Sequence, residues 1–191
     1  MSELLIDKKE YLSAGIHIGM KSKNKDMKRF IYKIREDGLA VLNLKLIDER
    51  IKIAGEMLAR ANKILVAGRK NVTFDALKKF AETVDGVYIV TGRFMPGTLT
   101  NPNYSEYVEP DFVVLTDPQS DYQALKEAVE SRIPVIALCD TFNETKNIDF
   151  VIPCNNKGKK SISLIFWLLA KIINEKRGKE FKAKPEEFGV E

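Results

Sequence analysis

Histidine is almost missing from this 191-residue chain, which has only His17, and cysteine is scarce, with Cys139 and Cys154 and no CxxC pair. A structural zinc site draws on four Cys or His ligands, so no metal is expected, and the two cysteines read as reduced, inert thiols. Any histidine-based catalysis must pass through His17, which stands between Ile16 and Ile18 with no adjacent Ser or Cys nucleophile. A structural histidine or a phosphate contact suits that position better than a general base.

Long apolar runs are missing as well. The longest, ISLIFWLLA (Ile162 to Ala170), is cut off by Lys171, short of the roughly 20 residues that span a bilayer. The opening MSELLIDKKEY carries acids among few apolar residues and has no small-residue cleavage site, so no signal peptide is expected. These absences predict a soluble, cytoplasmic protein with no membrane partner.

The chain also lacks a phosphate-binding glycine loop. YIVTGRFMPGTLTNP (Tyr88 to Pro102) spaces Gly92 and Gly97 as such a loop does, but Thr98 and Leu99 follow, and Pro102 stands where a helix should be under way. Without the Lys, the hydroxyl and the helix N-terminus, the cradle is incomplete. GKKS (Gly158 to Ser161) has Pro153 where the earlier glycine belongs, and GxGxxG occurs nowhere. No nucleotide site built on such a phosphate cradle is expected.

What is present is an alternation of apolar runs and helical stripes. LAVLNL (Leu39 to Leu44), KILVA (Lys63 to Ala67), VYIVT (Val87 to Thr91), FVVLT (Phe112 to Thr116), PVIAL (Pro134 to Leu138) and the short Phe150 to Ile152 read as strands covered on both faces. Ile47, Ile51, Ala54, Leu58 and Ala61 form one helical stripe. Ser120 and Gln123 form a capping box, Thr73 is placed to cap a further helix, and helices are predicted near Asp7 to Ala14 and from Ser161 to Lys176. The pattern predicts a doubly wound α/β fold, flavodoxin- or Rossmann-like, with a mainly parallel sheet of five or six strands and helices on both faces. One domain over residues 1–178 is followed by a tail, 179–191, whose FKAKPEEFGVE has no helical stripe, as in tails that are disordered when free. Gly92 to Asp111, with three prolines, is far longer than ordinary connections, which points to function.

Charge is unevenly placed. Between His17 and Asp37, Lys21, Lys23, Lys25, Lys28, Arg29, Lys33 and Arg35 face only Asp26, Glu36 and Asp37; a second excess runs from Asn155 to Lys184. MKSKNKDMKRFIYKIR interleaves its cations with Phe30 and Tyr32, and NNKGKKS sets Lys157, Lys159 and Lys160 before a helix start. Both suit RNA, through phosphate contacts and base stacking. The plain alternative is that these cations are solvated faces and Phe30, Ile31 and Ile34 pack inward. In the last helix, Trp167 shares a side with Lys160, Ser163, Lys171 and Asn174, which places it under lysine stems or the tail, or against a partner.

EYLSAGIHIGMKSKNKDMKRFIYKIREDGLAVLNLKLIDERI, GRFMPGTLTNP, EPDFVVLTDPQSDYQALKEAVESRIPVIALCDT and IDFVIPCNNKGKKSISLIFWLLA, in this order, resemble the small ribosomal subunit protein 2 family over residues 8–176, in its archaeal and eukaryotic form. That form is related to the laminin-receptor precursor and lacks the inserted helical hairpin of bacterial members. The resemblance implies a ribonucleoprotein constituent of the small ribosomal subunit, bound to ribosomal RNA and to other small-subunit proteins, without catalysis, cofactor or small-molecule substrate. The family's long eukaryotic extension has no counterpart here, so laminin binding is not carried over. On this reading the two lysine clusters and Arg93 meet ribosomal RNA, Phe94, Pro96 and Trp167 are candidate partner contacts, and the body is a spacer between two basic edges. The GRFMPGTLTNP loop then matches the shape of a partner or of the chain's own N-terminal segment. The rival reading is a small-ligand or nucleotide-binding enzyme using Arg69, Arg93, Asp117 and Asp140 at the strand-end rim.

Overall fold

A computed structural model describes residues 4–189; residues 1–3 of the opening segment and 190–191 of the tail lie outside it. The elements run α1 (Lys8–Ser13), β1 (Ile31–Ile34), β2 (Ala40–Leu42), α2 (Leu44–Ala59), β3 (Ile64–Gly68), α3 (Phe74–Thr83), β4 (Val87–Thr91), β5 (Phe112–Leu115), α4 (Tyr122–Glu130), β6 (Val135–Cys139), β7 (Phe150–Pro153) and α5 (Lys159–Lys176). Short 3-10 turns stand at Asp26–Phe30, Asn71–Thr73 and Pro185–Phe188.

Five strands form one parallel sheet in the order β4-β3-β5-β6-β7. The chain steps from β3 outward to β4, then returns to the other side of β3, so a topological switch point lies between β3 and β5. The apolar runs explain the centre: β3 and β6 are buried at every residue, as strands covered on both faces must be. On one side α5 packs against both α2 and α3, while α4 packs over β5 and β6. Phe80 and Phe166 meet edge to face, centroids 5.3 Å apart, inside the α3/α5 contact. Gly55 allows α2 to approach α5, since a Cβ there would lie 2.6 Å from Ile172 Cγ2.

Arg177 closes this layer. Its guanidinium donates to the carbonyls of Ala59 (3.2 Å), Ala61 (2.6 Å) and Asp85 (2.8 Å), two at the end of α2 and one just past α3. This member of the C-terminal basic run is therefore an internal strut.

Three local expectations are corrected. The run Leu39 to Leu44 is not a strand of the parallel sheet: its residues 40–42 pair antiparallel with β1, Ile31 opposite Leu42 and Ile34 opposite Ala40. IYKI gave no strand signal because three of its four residues are exposed. The helix after Ser120 begins at Tyr122 without a side-chain cap; Ser120 Oγ donates instead to Asp117 Oδ2 and Gln123 Nε2 to Glu127 Oε1. Thr73 likewise turns its hydroxyl to the Lys70 carbonyl and caps nothing.

The tail folds back on the body. Phe188 is fully buried, Glu187 pairs with Lys79 at 3.0 Å, and the Ala183 carbonyl accepts Trp167 Nε1 at 2.8 Å. Phe181 and Lys171 flank the Trp167 ring. Among the described residues, no helix is long and apolar enough to cross a membrane.

Candidate nucleic-acid interface

The basic N-terminal segment is stapled along the carboxyl end of the sheet. Ile18 bridges Val41, and Gly19 donates to the Ala40 carbonyl at 2.8 Å, so the segment adds to the β1/β2 ribbon. From there it crosses to the loop after β6. The Met20 amide donates to Thr141 Oγ1 (3.0 Å), Thr141 Oγ1 donates to the Ser22 carbonyl (3.0 Å), and the Asn24 amide donates to the Thr141 carbonyl (2.7 Å). Gly19 is required beside them, because a Cβ there would collide with the Thr141 side chain. Asp26 holds the next turn, accepting the amide and hydroxyl of Thr145.

Thr141 is itself fixed by a buried polar network. Its amide donates to Asp140 Oδ1 (2.6 Å), the Asp140 amide to Asn143 Oδ1 (2.8 Å), and Asn143 Nδ2 to Asp117 Oδ1 (3.0 Å). Asn156 Nδ2 joins Asn143 Oδ1 to the Leu138 carbonyl. The NNKG loop is thereby locked to the same end of the sheet, and Asn155 donates from its amide to the Ile16 carbonyl (2.9 Å) and from Nδ2 to the Gly15 carbonyl (3.3 Å).

This brings together two stretches that are over 120 residues apart in sequence. Lys157 Nζ lies against the Met20 sulfur and 4.5 Å from the centroid of the Phe142 ring. The body is therefore no spacer between separate basic edges. Lys157 extends the surface of Lys21, Lys23, Lys25, Lys28, Arg29, Lys33 and Arg35, all seven of which are exposed. None of the eight has a carboxylate ion pair among the described residues. The nearby acids serve backbone groups instead, Asp26 at Thr145 and Asp37 at the Leu39 amide. Lys159 differs, pairing with Asp75 at 2.8 Å, while Lys160 is exposed on the first turn of α5.

The aromatics divide by face. Phe30 is buried between the guanidiniums of Arg29 and Arg50, 4.8 and 5.1 Å from its centroid. Tyr32 is 71% exposed and Ile34 55%, on β1, whose pairing with β2 is interrupted by an irregularity between Ile31 and Lys33. His17 is 8% exposed with Nδ1 unpartnered among the described residues; burial, and then the nearby Arg35 charge, hold its pKa below the ordinary value, so it is neutral.

At the switch point the arrangement is self-contained. Asp121, buried at the start of α4, accepts the amides of Arg69 (2.9 Å) and Asp117 (3.1 Å) and the Thr116 hydroxyl (3.0 Å). These are amides that a phosphate would need, and a carboxylate of the chain already holds them. Burial pushes the Asp121 pKa up to about 6. Burial also works to raise Asp117, but Lys70, 2.6 Å away, with Ser120 and the Gln119 amide, outweighs it and keeps that carboxyl below its ordinary value. Asp140, raised by burial, is bonded within the network above. Arg69 and Arg93 line a cleft of about 350 Å³ with Phe94, Pro96, Asp121 and Tyr122, among the segments that follow β3, β4 and β5 and away from the lysine surface beside β6 and β7. Of the three partner-contact candidates, Pro96 stands in solvent, Phe94 is buried, and Trp167 is covered by the tail.

The long loop is held by a residue the sequence reading missed. Glu127, 2% exposed, accepts the amides of Gly97 (3.0 Å) and Leu99 (3.1 Å), and Ser131 Oγ donates to the Leu99 carbonyl. GRFMPGTLTNP is thus anchored on α4 and not on the N-terminal segment. The available signal was an acid set between Ala124 and Ala128 on an otherwise apolar helix face.

A family model described as ribosomal protein S2 matches residues 11–108 and 104–176. The small ribosomal subunit protein uS2 of Haloquadratum walsbyi is 48% identical over 192 aligned positions, which take in all of this chain and 68% of that protein. The chain belongs to the ribosomal protein S2 family. The matched stretches of this S2-family chain contain the stapled N-terminal segment, Thr141, the NNKG loop and the loop on Glu127, so the family signal covers the whole of the interface.

Proposed function

We propose that the surface formed by Lys21, Lys23, Lys25, Lys28, Arg29, Lys33, Arg35 and Lys157, extended by Lys160, is where this chain binds ribosomal RNA. As a member of the S2 family the protein is a structural constituent of the small ribosomal subunit and not an enzyme, acting in translation with ribosomal RNA and neighbouring ribosomal proteins as partners. The observation that carries the assignment is a row of exposed cations, without carboxylate ion pairs among the described residues, on a segment fixed by Thr141. Fixed cations position a phosphate backbone, and a flexible arm would first have to be ordered. Tyr32 offers the exposed ring on which an unpaired base can stack, a role that the buried Phe30 cannot fill.

The test is ultraviolet cross-linking in assembled small subunits, with the linked peptides mapped. Cross-links to ribosomal RNA are expected within residues 21–35 and 157–160. Cross-links confined to the cleft of Arg69 and Arg93 would overturn the assignment.

A further inference from the structure

One edge of the sheet is open. Ile64 donates its amide to the Gly86 carbonyl (2.8 Å), and the Gly92 amide donates to the Gly68 carbonyl (3.0 Å), bracketing the β3/β4 ladder. In a strand, successive residues turn their backbone groups to opposite sides. Gly86, Tyr88, Val90 and Gly92 therefore face β3, and the amide and carbonyl groups of Val87, Ile89 and Thr91 face outward. β4 stands at the end of the strand order, so no strand among the described residues pairs with those groups. The far edge differs, because Arg50 lies on β7 and donates to the Val151 carbonyl.

Sheet edges are ordinarily blunted by charge, proline or a bulge. VYIVT has no charged residue and no proline, and its register with β3 is unbroken. Tyr88 is 44% exposed beside it, and Arg93, just past the strand end, is exposed without an ion pair among the described residues.

We propose that the β4 edge takes up an extended segment of a neighbouring small-subunit protein as a sixth strand, with an acidic residue of that segment set against Arg93. Three outward amide and carbonyl pairs repeating every two residues, about 6.6 Å apart, are matched by a polypeptide strand. RNA offers no such alternation, and the strand lies apart from the lysine surface. A second copy of the chain fits poorly. A five-residue strand is only about 17 Å long, and so narrow a contact falls well below the roughly 1,200 Å² of a stable interface. A partner strand held in place by the rest of the ribonucleoprotein escapes that limit, because its effective concentration is high. The proposal goes beyond the RNA surface and does not depend on it.

Hydrogen exchange of the peptide spanning residues 86–92, in the free protein and in purified small subunits, is the test. The outward amides of Val87, Ile89 and Thr91 should exchange at least about tenfold more slowly in the subunit; equal exchange in both would overturn the proposal. Ile89→Pro removes an outward amide that the chain's own ladder does not use. It should still fold, with a lower thermal midpoint because the Ile89 side chain packs on the core, yet compete about tenfold less well for incorporation into subunits; equal incorporation of the folded variant counts against the proposal. Should that variant not fold, the exchange comparison on wild type decides. A photo-cross-linker at Tyr88 should capture protein, and capture of ribosomal RNA alone would assign the edge to RNA. A dimer of the free protein by sedimentation, lost in Ile89→Pro, would assign it to a second copy; either result overturns the proposal.

Discussion

Thr141 holds Met20 across 121 positions of sequence, its hydroxyl accepting the Met20 amide at 3.0 Å while donating to the Ser22 carbonyl. One side chain at the end of β6 thus sets the path of the segment that carries the exposed cations.

Thr141→Val keeps the shape of the side chain and deletes both bonds. The Met20 amide then loses its partner, at a cost of about 1–3 kcal/mol. The thermal midpoint should fall, and trypsin should cut at Lys21, Lys23 and Lys25 faster than in wild type. Cleavage at an unchanged rate would show that the staple does not order the segment.

Glu127→Ala orphans the Gly97 and Leu99 amides inside the α4 contact. The expected loss is about 2–4 kcal/mol, with faster amide exchange across residues 93–101 and no change at residues 20–35. Exchange that rises equally in both regions would show that the loop and the basic segment are not separately anchored.

Arg177 and the lysine surface separate two uses of positive charge. Arg177→Met should lower stability by about 2–3 kcal/mol through the carbonyls of Ala59, Ala61 and Asp85. The salt dependence of RNA binding should stay as it is. A shallower dependence would place Arg177 at the RNA.

Asp121 gives a pH signature. Its folded pKa, about 6, lies above the roughly 3.9 of an unfolded aspartate, so between these values the folded chain holds a proton that the unfolded chain has lost. Its contribution to stability is therefore greatest below about pH 4 and declines as pH rises to about 6. The difference in urea midpoint between wild type and Asp121→Asn, followed from pH 4 to 7, should change across that window. A constant difference would mean that Asp121 is not the titrating group.

How much could be read beforehand depended on the range of the interaction. ILVA and VIAL announce buried parallel strands because both faces of each are covered, and composition alone reports that. IYKI does not, since a half-solvated ribbon strand carries mixed residues. Glu127 left a trace, an acid on an apolar stripe, whereas Thr141 left none: nothing local distinguishes a hydroxyl that bonds its neighbours from one that reaches Met20. The convergence of Lys157 with Lys21–Arg35 was likewise invisible, because it is made by the loops after the parallel neighbours β6 and β7, which both bond to the N-terminal segment. Trp167 could be placed among polar neighbours by helical period, but its cover, Phe181 and Ala183, belongs to a tail with no period.

The central claim is that exposed cations between Lys21 and Arg35, on a segment stapled by Thr141, neutralise ribosomal RNA phosphates. The direct measurement is the slope of log affinity against log salt for small-subunit ribosomal RNA, for wild type and for Lys21, Lys23 and Lys25 changed together to Ala. The slope should become shallower by about 2 to 3, near 0.7–0.9 for each phosphate no longer neutralised. An unchanged slope in a variant that folds as well as wild type would contradict the account.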